Sequence, residues 1–253
     1  MKTQGLALLC FVFSSALIWS CKNQNPPDCL KSVGKYHQIS KALPDFSGIV
    51  VGDKIDLVLV TDPNITENTI TLSGGENVLP KIKIEITADG FLKIADLNTC
   101  NWVRNLQTRI TAEVRCKPVA YLELNGFSKL ITPDSLKYDR LDIEFTSAAD
   151  LNLLLSGKYL VMNHRGVGEV QMQGRTDISV FTLYNVAGLD ARNLHSDWSF
   201  VYSYSTADTW VRPLKGLGTH IFELGNVFYT REPWEHLEYV REGKGERKFV
   251  EIN

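Results

Sequence analysis

Residues 149–170 read ADLNLLLSGKYLVMNHRGVGEV, and this stretch decides the fold. Leu151 follows the small, polar pair Ala149-Asp150, and 19 residues later Val170 follows Gly168-Glu169 in the same manner. The pattern extends both ways. Leu130, Leu151, Val170, Leu189, Thr209 and Val227 fall at intervals of 21, 19, 19, 20 and 18, and Ala187-Gly188, Ala207-Asp208 and Gly225-Asn226 precede the later members. A second series lies between them: Leu141, Leu160, Val180, Phe200 and Ile221, at intervals of 19, 20, 20 and 21. Two short strands for every ~20 residues, repeated about five times, predict an all-β solenoid. One coil cannot bury its own apolar side chains, whereas stacked coils make a continuous core. A sandwich built from hairpins also spaces strands about ten residues apart. The regular interval and the similar turns favour the solenoid.

Upstream the strands are less regular. Apolar and polar residues alternate over Ile49 to Val60, Ile82 to Ile86, Phe91 to Ile94 and Arg109 to Val114, each run bounded by Gly, Asn, Asp or Pro. Lys81-Ile82-Lys83-Ile84-Glu85-Ile86 alternates without a fault and runs into Ala88-Asp89-Gly90, which predicts a half-buried strand and a tight hairpin. The expected organisation is an N-terminal part of hairpins and capping strands over 36–118, regular coils over 119–233 and a C-terminal cap over 234–253. An open solenoid end exposes unpaired edges, and the hairpin-like Glu242-Gly243-Lys244-Gly245 suits a closing element.

The first 20 residues have a different character. Lys2 is the only charge before an apolar run from Leu6 to Trp19, too short for a comfortable membrane span and suited to a cleaved signal peptide. The run exits through Ser20-Cys21 and so resembles the lipobox of bacterial lipoproteins. That resemblance implies removal of 1–20, diacylation of Cys21 and attachment to a membrane through the lipid, each buried methylene contributing about 0.8 kcal/mol. The Lys22-Asn23-Gln24-Asn25-Pro26-Pro27 segment reads as a tether within 21–35, and Lys22 after the cysteine favours delivery to the outer membrane by analogy with known sorting. Net charge is −2 and the pI is near 6.2, so no basic field invites nucleic acid. Of the five cysteines, Cys10 leaves with the signal and Cys21 carries lipid. Cys29, Cys100 and Cys116 remain, enough for one disulfide in an oxidising compartment, with the pairing open.

Several motifs together carry a more specific likeness. Phe46-Ser47-Gly48-Ile49-Val50-Val51 with Ile55-Asp56-Leu57-Val58-Leu59, then Glu76-Asn77-Val78-Leu79-Pro80-Lys81-Ile82, Gly90-Phe91-Leu92-Lys93-Ile94 and Cys100-Asn101-Trp102-Val103-Arg104, resemble the "putative auto-transporter adhesin, head GIN domain" family. Members often carry Gly-Ile-Asn where this chain has Lys54-Ile55-Asp56. The resemblance implies a right-handed β-helix-like fold over most of the mature chain, in an envelope protein on the periplasmic or outer side of the outer membrane. It favours Cys29 with Cys100 as the disulfide, leaving Cys116 free. It implies no established biochemistry.

Catalytic and cofactor motifs are missing: no G-x-S-x-G, no H-E-x-x-H, no phosphate loop and no dinucleotide fingerprint. Neither a cofactor nor a metal is expected. His37, His164, His195, His220 and His236 lack paired ligand spacing, and most of them read as surface or turn residues. Asp150, Glu169, Asp190 and Asp208 recur near one turn of successive coils, where they form either an acidic ladder or ordinary turn residues. The most suggestive feature is aromatic. Trp198, Phe200, Tyr202 and Tyr204 alternate with Ser199, Val201, Ser203 and Ser205, and Trp210 follows on the next strand. In a strand the four rings share one face. Inward, they fill the coil and leave serines in water, which is the simpler expectation, although four rings crowd a narrow coil. Outward, they make a platform for a sugar or an envelope protein. The leading reading is therefore a lipid-anchored, non-catalytic binding or structural module. The alternative is a polysaccharide lyase or hydrolase using the acidic turns.

Overall fold

The alternation is realised as strand almost throughout. The computed structural model describes residues 32–98 and 109–251, and the regular structure among them is β apart from a 3-10 turn at Leu79–Lys81. In the N-terminal part the strands are β1 (Tyr36–Leu43), β2 (Gly48–Val51), β3 (Ile55–Thr61), β4 (Asn68–Gly75), β5 (Ile82–Ile86), β6 (Phe91–Asp96) and β7 (Ile110–Cys116). Then follow β8 (Tyr121–Leu124), β9 (Leu130–Ile131), β10 (Leu136–Phe145), β11 (Leu151–His164) and β12 (Val170–Asn185). The stack continues with β13 (Leu189–Ser205), β14 (Thr209–Ile221), β15 (Val227–Tyr229), β16 (Glu235–Arg241) and β17 (Arg247–Phe249). The signal segment and Cys21, Cys29 and Cys100 lie outside the described residues.

From β8 onward each coil pairs in parallel with its neighbours, building a solenoid of about six turns at about 20 residues per coil. The first anchor series is the actual register: Leu130 pairs with Leu151, then Val170, Leu189, Thr209 and Val227 follow in single file. The second series holds only in part. Leu141 opposes Leu160, but Leu160 opposes Ser179, and Phe200 opposes Gly218 rather than Ile221. Ser179 and Ser199 occupy interior positions where an apolar anchor was expected, while Val180 and Phe200 beside them point out. A one-residue slip moves a side chain to the opposite face of a strand.

The N-terminal part supplies the expected hairpins and capping strands. β5 and β6 pair antiparallel around a turn in which Gly90 has φ +78°, matching the Asp89-Gly90 reading, and β1 pairs antiparallel with β4, which pairs with β7. It also supplies two further rungs. β2 lies parallel between β6 and β8, and β3 parallel between β7 and β9. The rung made by residues 48–61 thus sits between residues 91–116 and 121–131, so stacking order departs from chain order. Asp56, from the tripeptide that departs from Gly-Ile-Asn, binds the Arg109 guanidinium, and Arg109 also donates to the Phe127 carbonyl at 3.0 Å, tying three rungs together.

At the far end the hairpin reading fails. β16 runs parallel to β14 and β17 parallel to β15, so residues 235–249 form one more rung. The Glu242–Gly245 turn stacks on the turn before it, Glu242 N–H donating to Ile221 O and Gly245 N–H to Glu223 O, each at 2.9 Å.

Inside, side chains stack in files such as Leu124, Phe145, His164, Leu183, Ser203 and Ile221. His164 is fully buried, against the expectation of a surface or turn histidine. Its Nε2 lies 3.1 Å from Gly168 O and its Nδ1 accepts the Gly166 N–H at 3.2 Å, which assigns the neutral Nε2–H tautomer. Burial lowers its pKa below the ordinary 6.5, against the opposing backbone contacts. The unfolded imidazole therefore protonates first as pH falls. Stability from this group is complete above 6.5 and declines from there toward the depressed folded value. We expect the urea midpoint to fall more steeply between pH 7.5 and 5.5 in the native protein than in His164→Gln. Equal slopes would rule the assignment out.

Candidate functional site

β13 carries the aromatic run, and its alternation decides what faces out. Ser199, Val201, Ser203 and Ser205 are at most 1% exposed and fill the coil, while Trp198, Phe200, Tyr202 and Tyr204 lie on the outer surface. The inward expectation is corrected here, and the reason is local. Ser179 Oγ donates to Ser196 Oγ and Ser199 Oγ at 3.0 and 3.1 Å, and Ser205 Oγ donates to Ala187 O at 2.8 Å. Hydroxyls that find partners, as those of Ser179, Ser199 and Ser205 do, can line an interior at little desolvation cost, whereas Ser203 Oγ is buried without one.

Neighbouring rungs extend the aromatic strand into a face. Tyr204 stacks between Tyr184, with ring centroids 5.5 Å apart, and Phe222 at 4.3 Å. The Arg165 guanidinium sits 4.6 Å over Tyr184. Tyr202 packs on His220 at 5.0 Å, and His220 Nε2 lies 2.9 Å from a Glu238 carboxylate oxygen. Trp198 and Phe200 lie beside Gly216 and Gly218 of the next rung, where a Cβ would come within 2.3 and 2.9 Å of their rings. The missing side chains there let the rings lie low along the sheet. The result is a strip of rings in register on a hydrogen-bonded sheet, so its geometry is fixed before any ligand arrives.

Trp210 does not belong to this strip. It stands at the start of β14 on the other run of each coil, between Arg192 at 4.2 Å and Phe228 at 4.4 Å. Asp190 holds Arg192 at 2.7 Å, and with Glu169, Gln171 and Asp208 these residues line a shallow cleft of about 390 Å³. The five aromatics singled out in the sequence therefore divide four to one. Tyr184, Phe222, His220 and Phe228 were missed. Offsets of 20 and 18 residues, Tyr184 to Tyr204 to Phe222, are the signal that finds the first two.

The acidic ladder is broken. The file Leu151, Val170, Leu189 and Thr209 is preceded residue for residue by Asp150, Glu169, Gly188 and Asp208, while Asp190 pairs with Trp210 on the outer surface. Asp150 accepts the Glu169 N–H at 3.2 Å and Asp208 the Asn226 N–H at 2.9 Å, the work of turn residues. Among the described residues no group of three or more His, Cys, Asp or Glu side chains is placed to hold a metal. Cys116 is buried and free, its thiol pushed up to about 12 by burial, which makes it a poor nucleophile.

Comparison with known proteins agrees with this architecture. A "putative adhesin" from Bacteroides fragilis superposes with a TM-score of 0.78 at 17% identity, covering 85% of this chain and 97% of that one. A "putative lipid binding protein" from Parabacteroides distasonis gives 0.66 at 17% identity, over 86% of this chain and 97% of that one. A "putative adhesin" from Parabacteroides merdae gives 0.65 at 17% identity, over 87% and 98%. Such identities establish a shared fold. No curated protein matches the chain. The family model described as "Putative auto-transporter adhesin, head GIN domain" matches residues 45–233, three-quarters of the sequence, and the chain belongs to that family.

Proposed function

We propose that this protein is a lipid-anchored, non-catalytic binding module of the bacterial envelope, and that its aromatic strip captures a glycan. The observation that carries the reading is the outward placement of Trp198, Phe200, Tyr202 and Tyr204 on a rigid sheet. Flat apolar faces with polar edges suit pyranose rings, and rings fixed by stacking lose little entropy on binding. Membership of a family described as adhesins supports a binding role. Of the acids considered for polysaccharide cleavage, Asp150 and Asp208 bind turn backbone and Asp190 holds Arg192, so the aromatic strip is the better-built site. Ser20-Cys21 after the apolar run supports the lipid anchor.

Trp198→Ala and Tyr202→Ala are the test. Both are expected to keep the native circular dichroism spectrum and to bind a panel of neutral glycans more weakly by about 2 kcal/mol or more, the size typical of aromatic anchors. Unfolding of either variant would make the rings structural. Unchanged glycan binding by folded variants would remove the strip as a site. Protease treatment of intact cells locates the domain: cleavage before the outer membrane is opened means surface display, and protection means the periplasm.

A further inference from the structure

The corner of the solenoid between its two runs carries a file of basic residues. Lys137 pairs in register with Ser156, Ser156 with Arg175, Arg175 with His195 and His195 with Arg212, one residue per rung. Arg231, in the connection between β15 and β16, lies near the end of the file, close enough for its charge to act on His195. Rungs of a sheet are ~4.8 Å apart, so four of five successive positions place a Lys, Arg or His side chain along one line.

Like charges directly opposite one another across strands are destabilising, and apart from Glu123 opposite Glu144 several charged positions on this surface meet an opposite charge on a neighbouring rung. Asp139 meets Lys158 across rungs at 2.8 Å, Glu144 meets Arg165 at 2.8 Å, and Glu238 meets His220 at 2.9 Å. Beside the file, Asp197 takes both Arg175 at 2.9 Å and Lys215 at 2.8 Å. It is the one acid that reaches the file; among the described residues Lys137, Arg212 and Arg231 make no ion pair. Arg212 Nε is buried and without a hydrogen-bond partner. The charges converge on His195, whose pKa is lowered by burial and by Arg212, Arg175 and Arg231. Asp197 relieves the file at Arg175, while Lys137 and Arg212 stand in it with no carboxylate opposite.

We propose that this basic file is a second binding site, which takes a linear acidic polysaccharide lying along the solenoid axis. A line one side chain wide, with Lys137, Arg175 and Arg212 recurring at every second rung, fits a single polymer strand bearing regular carboxylates or sulfates. No aromatic interrupts the file on which nucleobases would stack, and the overall charge of −2 offers no wider field for a nucleic acid. The inference does not depend on the aromatic strip.

Binding of the purified protein to polygalacturonate, dextran sulfate, uncharged dextran and single-stranded DNA tests it. The acidic polysaccharides are expected to bind at low salt and to release as salt rises, with uncharged dextran inert on this site. The double variant Arg212→Gln/Arg231→Gln should weaken polygalacturonate binding at least tenfold, and Arg231→Gln alone, at an exposed position, severalfold with unchanged thermal unfolding. Trp198→Ala should leave it unchanged. Native-like binding by the charge variants, or equal loss with Trp198→Ala, would overturn the site, and DNA binding as tight as the polysaccharide would overturn the ligand class. Loss of neutral glycan binding alone concerns the aromatic strip and leaves this inference standing.

Discussion

Phe145→Ala is expected to cost about 3–5 kcal/mol of stability, read as a lower urea midpoint with little change in the slope of the transition. Phe145 is wholly buried, in the file between Leu124 and His164, with its ring centroid 4.9 Å from the imidazole. What makes the cost large is that the site cannot collapse. In a helical bundle neighbouring elements can slide into a void. Here the rungs above and below are held at the sheet spacing by continuous ladders, so the side chains of Leu124 and His164 cannot approach each other. The cavity stays open and the full penalty is felt. A loss under about 1.5 kcal/mol would show that the interior repacks and that the files are looser than the geometry implies.

Gly168→Ala is expected to destabilise by about 1–3 kcal/mol, while Gly188→Ala one turn later is tolerated. Gly168 stands two residues before the strand that opens at Val170, and Gly188 one residue before the strand that opens at Leu189. In the structure a Cβ on Gly168 would fall 2.0 Å from the Ala149 carbonyl oxygen of the preceding rung, a contact with backbone that cannot turn aside. A Cβ on Gly188 would meet only Ala207 Cβ and Asp208 O, both at an ordinary 3.6 Å. A Cβ on Gly225 would likewise fall 2.0 Å from the Ala207 carbonyl oxygen, and one on Gly245 2.0 Å from that of Gly225, so these turns also stack closely. Thermal unfolding of the two alanine variants side by side is the measurement. Equal tolerance would mean that the turns breathe enough to admit a methyl group.

These contrasts also show where the sequence stops being informative. The first anchor series was readable because a strand entering the interior from each turn carries an apolar residue in nearly every coil. The second series slipped at Ser179 and Ser199, because buried hydroxyls that bond to each other look like surface residues when taken singly. The same property hid the direction of the aromatic run, since serine is the expected outward residue until its partners are known. Pairing across rungs is non-local, so neither the break of the acidic ladder at Gly188 nor the basic file from Lys137 to Arg212 shows as a local motif. The stacking of residues 48–61 between later segments is invisible for the same reason: strand patterns carry orientation and period, not the identity of the neighbour.

That interleaved order bears on how the protein resists being pulled. A tension applied at the N-terminus first meets β1, held by a single antiparallel ladder to β4, and this strand peels at modest load. The next segment to feel the pull is β2 with β3, and each of these is clamped on both sides by parallel ladders whose strands come from later in the chain. Extraction there must rupture two ladders together, so the mechanical weak point is one expendable strand and the stack behind it behaves as a locked unit.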